Sequence, residues 1–279
     1  MKKKKVILII ITLIIIFSLF FYYENNFLLV TNYKIVDNNI PQEFNNYKII
    51  QISDYHNTKN KLLNSKLIKT IKKENPNFIV ITGDLIDASK TDINQAINLI
   101  KNINYKKVFY VAGNHEASTE SYKELKELLE ENKVTILDNK IEIIKEKSKE
   151  INLIGIGDPS FYTNELINDS DIIKKEIESI SYNKDNYSIL LSHRPEQIDK
   201  YTEEKINLVL TGHAHGGQIR IPFIGGLVAP NQGLFPKYTN GIHKKDKTTM
   251  IISRGIGNSI LPLRINNRPE LVVITLKNN

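Results

Sequence analysis

Five short clusters of acidic, amide and histidine residues recur along the chain: Asp54-Tyr55-His56, Gly83-Asp84-Leu85-Ile86-Asp87, Gly113-Asn114-His115-Glu116, Ser192-His193-Arg194 and Gly212-His213-Ala214-His215. Each ends an apolar run. That layout calls for a fold in which strand ends far apart in sequence meet on one rim, where open α/β sheets hold their ligands. Five of the six histidines lie in the clusters and only His243 stands outside. Imidazole with carboxylate suits first-row divalent metals, while the absence of cysteine excludes thiolate zinc and cysteine-held iron–sulfur chemistry.

The runs between the clusters set the fold class. Residues 47–52 read as a strand into Ser53-Asp54, followed by a helical pattern at Leu62, Leu63, Leu67, Ile68 and Ile71 that stops at Asn75-Pro76, since proline cannot continue a helix. Residues 78–82 form a continuous β-prone run of the kind covered on both faces. A helix over 93–103, a strand over 108–112 and a helix from Ser121, with Glu124 completing a capping box, continue an alternation that means α/β. The runs 134–137, 141–145 and 151–156 are too close together for crossover helices, so antiparallel or meander strands and mixed sheets are expected. Asp169 and Ser170 are placed to cap a helix through Ile180, and strands are expected at 188–191, 208–210, 219–221, 250–252 and 271–276.

Four lysines, Lys2 to Lys5, precede an apolar stretch over 6–23 interrupted only by Thr12 and Ser18 before its aromatic end. At roughly 1.5 Å per residue a helix of that length just crosses a bilayer core. Bulky Phe, Tyr and Asn residues follow where a signal peptide would carry a small-residue cleavage site, so an uncleaved anchor is expected over 1–24. A buried core helix would show a polar stripe, and none is present. The lysines predict a cytoplasmic N-terminus with everything after the anchor outside. An Asn-rich connector is expected over 25–46, with β-prone patches at 28–30 and 33–36, the second a candidate edge strand before Pro41, and the globular domain over 47–279. The net charge of +7 owes four units to the leading lysines, leaving 34 basic against 31 acidic residues. That balance gives no reason to expect a nucleic-acid partner.

In their order, the clusters resemble the calcineurin-like metallophosphoesterases, whose pattern is D-x-H, G-D-x-x-D, G-N-H-[DE], a lone histidine and G-H-x-H. The resemblance runs from about Tyr47 to the C-terminus. The anchor, with Gly212-His213-Ala214-His215-Gly216-Gly217-Gln218 and Ser253-Arg254-Gly255-Ile256-Gly257-Asn258, is similar to the bacterial membrane-anchored phosphohydrolases of that superfamily. The fold expected is a four-layer α/β/β/α sandwich of two mixed sheets flanked by helices and preceded by one transmembrane helix. The resemblance implies that Asp54, His56 and His215 bind one metal ion, that Asn114, His193 and His213 bind a second, and that Asp84 bridges them. Two carboxylates, one amide and four imidazoles suit Mn, Fe or Zn better than Mg or Ca. His115 is implied beside the metals without ligating them, to protonate the leaving oxygen or stabilise charge. Asp87 is expected to hold its imidazole in the protonated form, with a helix N-cap as the alternative role, and Glu116 to orient the loop.

The reaction implied is hydrolysis of a phosphodiester, phosphomonoester or pyrophosphate by attack of a metal-bridging water, at the outer side of the membrane. The substrate is expected to be a small-molecule or lipid-linked phosphoester. Two alternatives stay open: a UDP-2,3-diacylglucosamine-type pyrophosphate hydrolase, and a non-catalytic metal-binding envelope protein, against which His115 argues. Residues 221–230 and 233–236 are apolar but too broken for regular structure, and read either as a substrate- or membrane-facing rim or as a loop buried over the sheet edge. Arg194, Arg254, Arg264 and Arg268 are candidates for a second phosphate or the leaving group, although each taken alone reads first as a structural or surface arginine.

Overall fold

Side-chain alternation along the strands decides the layering. The computed structural model describes residues 2–162, 167–258 and 263–279. The strands are β1 (Leu29–Val36), β2 (Lys48–Ile52), β3 (Phe78–Thr82), β4 (Val108–Val111), β5 (Val134–Ile136), β6 (Lys140–Glu146), β7 (Lys149–Gly155), β8 (Ser188–Leu191), β9 (Leu208–Thr211), β10 (Arg220–Ile221), β11 (Gly225–Gly226), β12 (Val228–Ala229), β13 (Gly233–Leu234), β14 (Gly241–Lys245), β15 (Thr248–Ile252) and β16 (Glu270–Lys277). The helices are α1 (Lys2–Asn26), α2 (Lys61–Glu74), α3 (Ile93–Ile103), α4 (Asn114–Ala117), α5 (Tyr122–Glu131), α6 (Asp169–Ser179) and α7 (Ile198–Glu203).

Two six-stranded sheets form, in the orders β1-β16-β2-β3-β4-β5 and β14-β15-β9-β8-β7-β6. On β3, Ile79 and Ile81 pack outward with Leu67, Ile71, Ile97, Ile100, Leu125 and Leu129 from α2, α3 and α5. Phe78 and Val80 point the other way and share a core with Leu153, Ile189, Leu208 and Leu210 of the second sheet. Beyond that sheet, Leu190, Val209 and Met250 meet Ile173, Ile177 and Tyr201 from α6 and α7. Three apolar layers between four layers of structure make the α/β/β/α sandwich.

Several expectations need correction. Strand β5 is parallel to β4 in the first sheet, with α5 as its crossover, and the short link to β6 carries the chain to the second sheet; antiparallel pairing holds for β6 with β7. Ser121 is already in helical conformation and makes no side-chain cap bond, so the expected capping box is not formed. Helix α6 is capped by Asn168, which stays extended and accepts the Asp171 N–H, while Asp169 and Ser170 lie inside the first turn. Strand β14 escaped sequence reading because its alternate residues are exposed and lysine-rich.

The β-prone patches of the connector merge, from Leu29 onward, into the single strand β1, parallel to β16 over eight residue pairs at the edge of the first sheet. Helix α1 is long and apolar enough to cross a membrane and buries none of its apolar window against the protein. Its Thr12 hydroxyl donates to the Leu8 carbonyl, so the helix satisfies its own polar group.

Candidate metal centre

The clusters sit where the two sheets are joined at one rim. Strands β2, β3 and β4 are parallel in the first sheet, as are β8 and β9 in the second, so all five release their following loops on the same edge. The Gln51 amide nitrogen donates to Thr82 Oγ1 and to the Thr211 carbonyl, crossing between sheets. The His213 N–H donates to Asp54 Oδ1 at 3.0 Å, and the His193 Nδ1–H to the Thr82 carbonyl at 2.8 Å.

These links bring the donors together. Asp54, His56, Asp84 and His215 offer atoms that all lie within 4.8 Å of one another, and Asp84, His193 and His213 form a second such group. Asp84 belongs to both. Its Oδ2 lies 3.1 Å from His193 Nε2 and 3.6 Å from His56 Nε2, while His215 Nε2 lies 3.1 Å from His56 Nε2 and 3.3 Å from Asp54 Oδ1. Asn114 Oδ1 stands 3.2 Å from His193 Nε2. All the acids and imidazoles of both groups are buried.

The donor chemistry fits metal binding. With the Nδ1 proton of His193 committed to Thr82, its Nε2 faces Asp84 Oδ2 and Asn114 Oδ1, a convergence that calls for a shared proton or a shared cation at that point. Burial disfavours charge on His193, yet the Asp84 carboxylate outweighs it and lifts the imidazole pKa to about 10. Burial likewise pushes Asp84 upward, and the facing His193 overrides it, holding the carboxyl well below its ordinary value. Positive charge is thus favoured beside Asp84, whereas burial holds His213 and His215 well below their ordinary value and keeps them neutral, the form in which imidazole ligates a metal.

The loops carry strain where the donors are. Asp54, His56, Asp84, His213 and His215 all have left-handed backbone, with φ between 45° and 65°. Such residues cost about 1–3 kcal/mol each and persist where their surroundings impose them. A side chain at Gly83 would strike the His193 ring and the Gly113 backbone, and one at Gly113 would strike the Asp84 carboxylate, so these two glycines let the loops meet. Buried Glu116 accepts from the backbone N–H groups of Asp84, Ile86 and Gly113, at 2.8, 3.0 and 2.7 Å, and thereby ties the second and third clusters together.

His115 and Asp87 lie together with His56, their donor atoms all within 4.8 Å of one another, but among the described residues no hydrogen bond joins the two. The His115 ring lies edge-on to His56 at 4.5 Å, and its Nδ1 accepts the Ala88 N–H at 3.0 Å. With Nδ1 accepting, the ring proton is on Nε2, and burial lowers the imidazole pKa. Asp87 instead places Oδ2 3.7 Å from His56 Nδ1, while its Oδ1 accepts from Ser89 and the Lys90 N–H. The turn after Ile86 sends a backbone N–H to His115, not the carboxylate. Neither is Asp87 a helix cap: α3 is capped by Asp92.

Of the four candidate arginines, Arg194 lies against the donors. Its Nε and Nη2 form a buried pair with Asp158 at 2.6 and 2.8 Å, and Nη1 reaches 3.3 Å from His213 Nε2. Arg264 is buried and donates to the carbonyls of Arg254, Gly257 and Asn267. The backbone N–H of Arg254 is bonded to Glu270, and Arg268 lies over the Tyr23 ring. Sequence reasoning missed Asp158, although Gly157-Asp158-Pro159 follows β7 in the same strand-end position as the other clusters. It also missed Asn267, whose amide donates to the carbonyls of His215 and Gln218 and fixes the last histidine loop. Beside His56 opens a cleft of about 370 Å³ lined by Asn57, Thr58, Lys59, Asp87, Lys90 and Asn258.

Residues 47–217 match the model of the calcineurin-like phosphoesterase family. An uncharacterized metallophosphoesterase of Bacillus subtilis, YkuE, is 32% identical over 88% of this chain and 85% of its own length. The phosphodiesterase YaeI of Escherichia coli is 26% identical over 82% of each chain. Among solved structures, the protein TT1561 of Thermus thermophilus superposes with a TM-score of 0.51 at 10% identity, covering 75% of this chain and 89% of that one, a likeness of fold.

Proposed function

This chain belongs to the calcineurin-like phosphoesterase family and is a metallophosphoesterase, and from its site we propose a dinuclear hydrolase working at the outer face of a membrane. The observation that carries the dinuclear reading is the membership of Asp84 in both donor groups. In this reading Asp54, His56 and His215 hold one ion with Asp84, and Asn114, His193 and His213 hold the other with the same carboxylate. Two divalent ions held by these residues would supply Lewis-acid chemistry for the hydrolysis of a phosphoester. The Asp84 charge offsets the repulsion between cations, and Asn114 adds an oxygen donor without adding charge. The set suits Mn, Fe or Zn.

His115 acts as a hydrogen-bond donor. With Nδ1 occupied by the Ala88 N–H, only Nε2–H is free to stabilise charge on a phosphoryl or leaving oxygen, which favours the charge-stabilising role over proton delivery. Lys90, on the wall of the cleft, takes the remaining negative charge of a phosphoester, while Lys59 beside it is paired with Asp92 at 2.8 Å. Helix α1 serves as the anchor, with its lysines on the cytoplasmic side and the catalytic centre outside, close to lipid-linked or envelope phosphoesters.

The test is turnover by the full chain on bis-p-nitrophenyl phosphate, p-nitrophenyl phosphate, nucleotide-sugar diphosphates and a lipid phosphate, each with and without Mn²⁺. Metal-dependent hydrolysis of at least one is expected. Metal-loaded protein that cleaves none of them overturns the proposal.

A further inference from the structure

We propose that the two hairpins with uncharged, apolar tips rising from the histidine loop form a lipid-docking surface that dips into the bilayer beside the anchor and holds the metal centre against the membrane. The inference rests on the reading of α1 as a membrane span. From Ile221 to Pro236 the sequence carries no charged side chain, and Arg220 and Lys237 flank it. β10, which opens on Arg220, pairs with β11, and β12 pairs with β13, and the turns thrust apolar side chains outward. Phe223 is fully exposed, at 109%, with Ile224 at 65%, Leu234 at 70% and Phe235 at 60%. Both phenylalanines sit in left-handed backbone, Phe223 at φ 68° and Phe235 at φ 53°, a costly conformation for a bulky residue. In water this segment bears both the strain and the exposed apolar surface; burial in lipid removes the second cost.

The bases of the hairpins are firm. The Leu227 N–H donates to the carbonyls of Gly217 and Ile219, the Phe235 N–H donates to Leu227, and Ala229 is buried in the outer core of the second sheet. Gly217 and Gly226 approach so closely that a side chain on either would strike the other's backbone. The tips therefore project from a fixed platform one residue beyond Gly216 and His215.

What identifies the occupant as a bilayer is where the anchor ends. The Arg264 N–H donates to Asn25 Oδ1 and the Asn267 N–H to Glu24 Oε2, both at 2.8 Å, and the Arg268 guanidinium lies 4.9 Å over the Tyr23 ring. The same 264–267 segment holds the hairpin base, since the Arg220 N–H donates to the Ile265 carbonyl and the Asn266 amide to the Arg220 carbonyl. On the cleft side, the Asn60 amide donates to Asn26 Oδ1 at 2.7 Å. Anchor exit, hairpin base and cleft wall are thus one hydrogen-bonded rim. Phe223 is three residues from Arg220, within roughly 10 Å at about 3.3–3.6 Å per residue, which matches the depth at which interfacial segments lie.

The chain contains no cysteine, so single cysteines can report depth. The full chain is placed in nanodiscs of phosphatidylcholine and phosphatidylglycerol with an environment-sensitive fluorophore at Phe223→Cys, Phe235→Cys, Leu13→Cys or Lys247→Cys. Lys247 lies in the exposed turn between β14 and β15, at the sheet edge opposite the metal rim. Probes at 13, 223 and 235 are expected to be quenched severalfold more by shallow spin-labelled lipid than by iodide, and the probe at 247 the reverse. If 13 is quenched by lipid but 223 and 235 behave like 247, the docking surface is overturned and the anchor stands. If 13 is also water-exposed, both fall. Because the readout is independent of turnover, a failed phosphoesterase assay leaves it intact.

Discussion

His115 shows how one hydrogen bond sets a chemical role. Its Nδ1 accepts from Ala88, so the ring is a donor through Nε2 and has no ligand function in the arrangement above. His115→Ala is expected to retain its metal content while losing turnover by roughly 10²–10³-fold. Wild-type rates in that variant would remove it from the mechanism. The buried Asp158–Arg194 pair has a structural consequence: Asp158→Asn leaves a buried guanidinium short of its counter-ion and is expected to cost about 3–5 kcal/mol in denaturant titrations. Burial raises the Asp158 carboxyl pKa, but Arg194 more than compensates and holds it below the ordinary value. Its contribution is therefore complete above the unfolded value of about 4 and lost as pH falls through the lower folded value. The stability gap between wild type and variant should close in acid; a gap that persists at low pH contradicts the pairing. At this scale the clustered residues were legible because each pairs a recognisable donor with a strand end. Asp158 and Asn267 were not, since their partners are distant in sequence, and the Asp87 role depended on a turn whose direction spacing does not encode.

At the scale of elements, β1 changes where the folded unit begins. It pairs with β16 from Leu29 with Glu270 to Val36 with Lys277, and its Ile35 enters the core between the sheets, as do Ile40 and Phe44 after it. A chain starting at residue 27 is expected to be soluble and to melt cooperatively. One starting at residue 47 bares the apolar strand β16 as an edge and should aggregate or melt at clearly lower temperature. Equal melting of the two chains would show that β1 is dispensable. Strands β2 to β4 and helices α2 and α3 were readable because apolar runs and helical periodicity mark them directly. The sheet membership of β5 was not, because a short link fixes nearness in space and leaves open whether the chain pairs with its neighbour or crosses to the other sheet. The caps differ for a local reason: Asn168, one residue earlier than the acids, is where the backbone remains extended.

Across the whole molecule, the alternation of Phe78 and Val80 with Ile79 and Ile81 already contains the sandwich, since a strand buried on both faces needs a layer on each. The joining of the two rims was implied only by the order of the clusters; Gln51, which makes one join, carries no pattern of its own, and His193 is legible as a cluster residue but not as the donor to Thr82 that makes the other. The centre that results depends on Asp84 lying within reach of both donor groups. Its most direct test is elemental analysis of the Mn²⁺-loaded full chain beside Asp84→Asn. Two equivalents per chain are expected in the wild type, with occupancy falling at both positions in the variant. A wild-type chain that holds one equivalent or none, or a variant that still holds two, contradicts a centre built on one shared carboxylate.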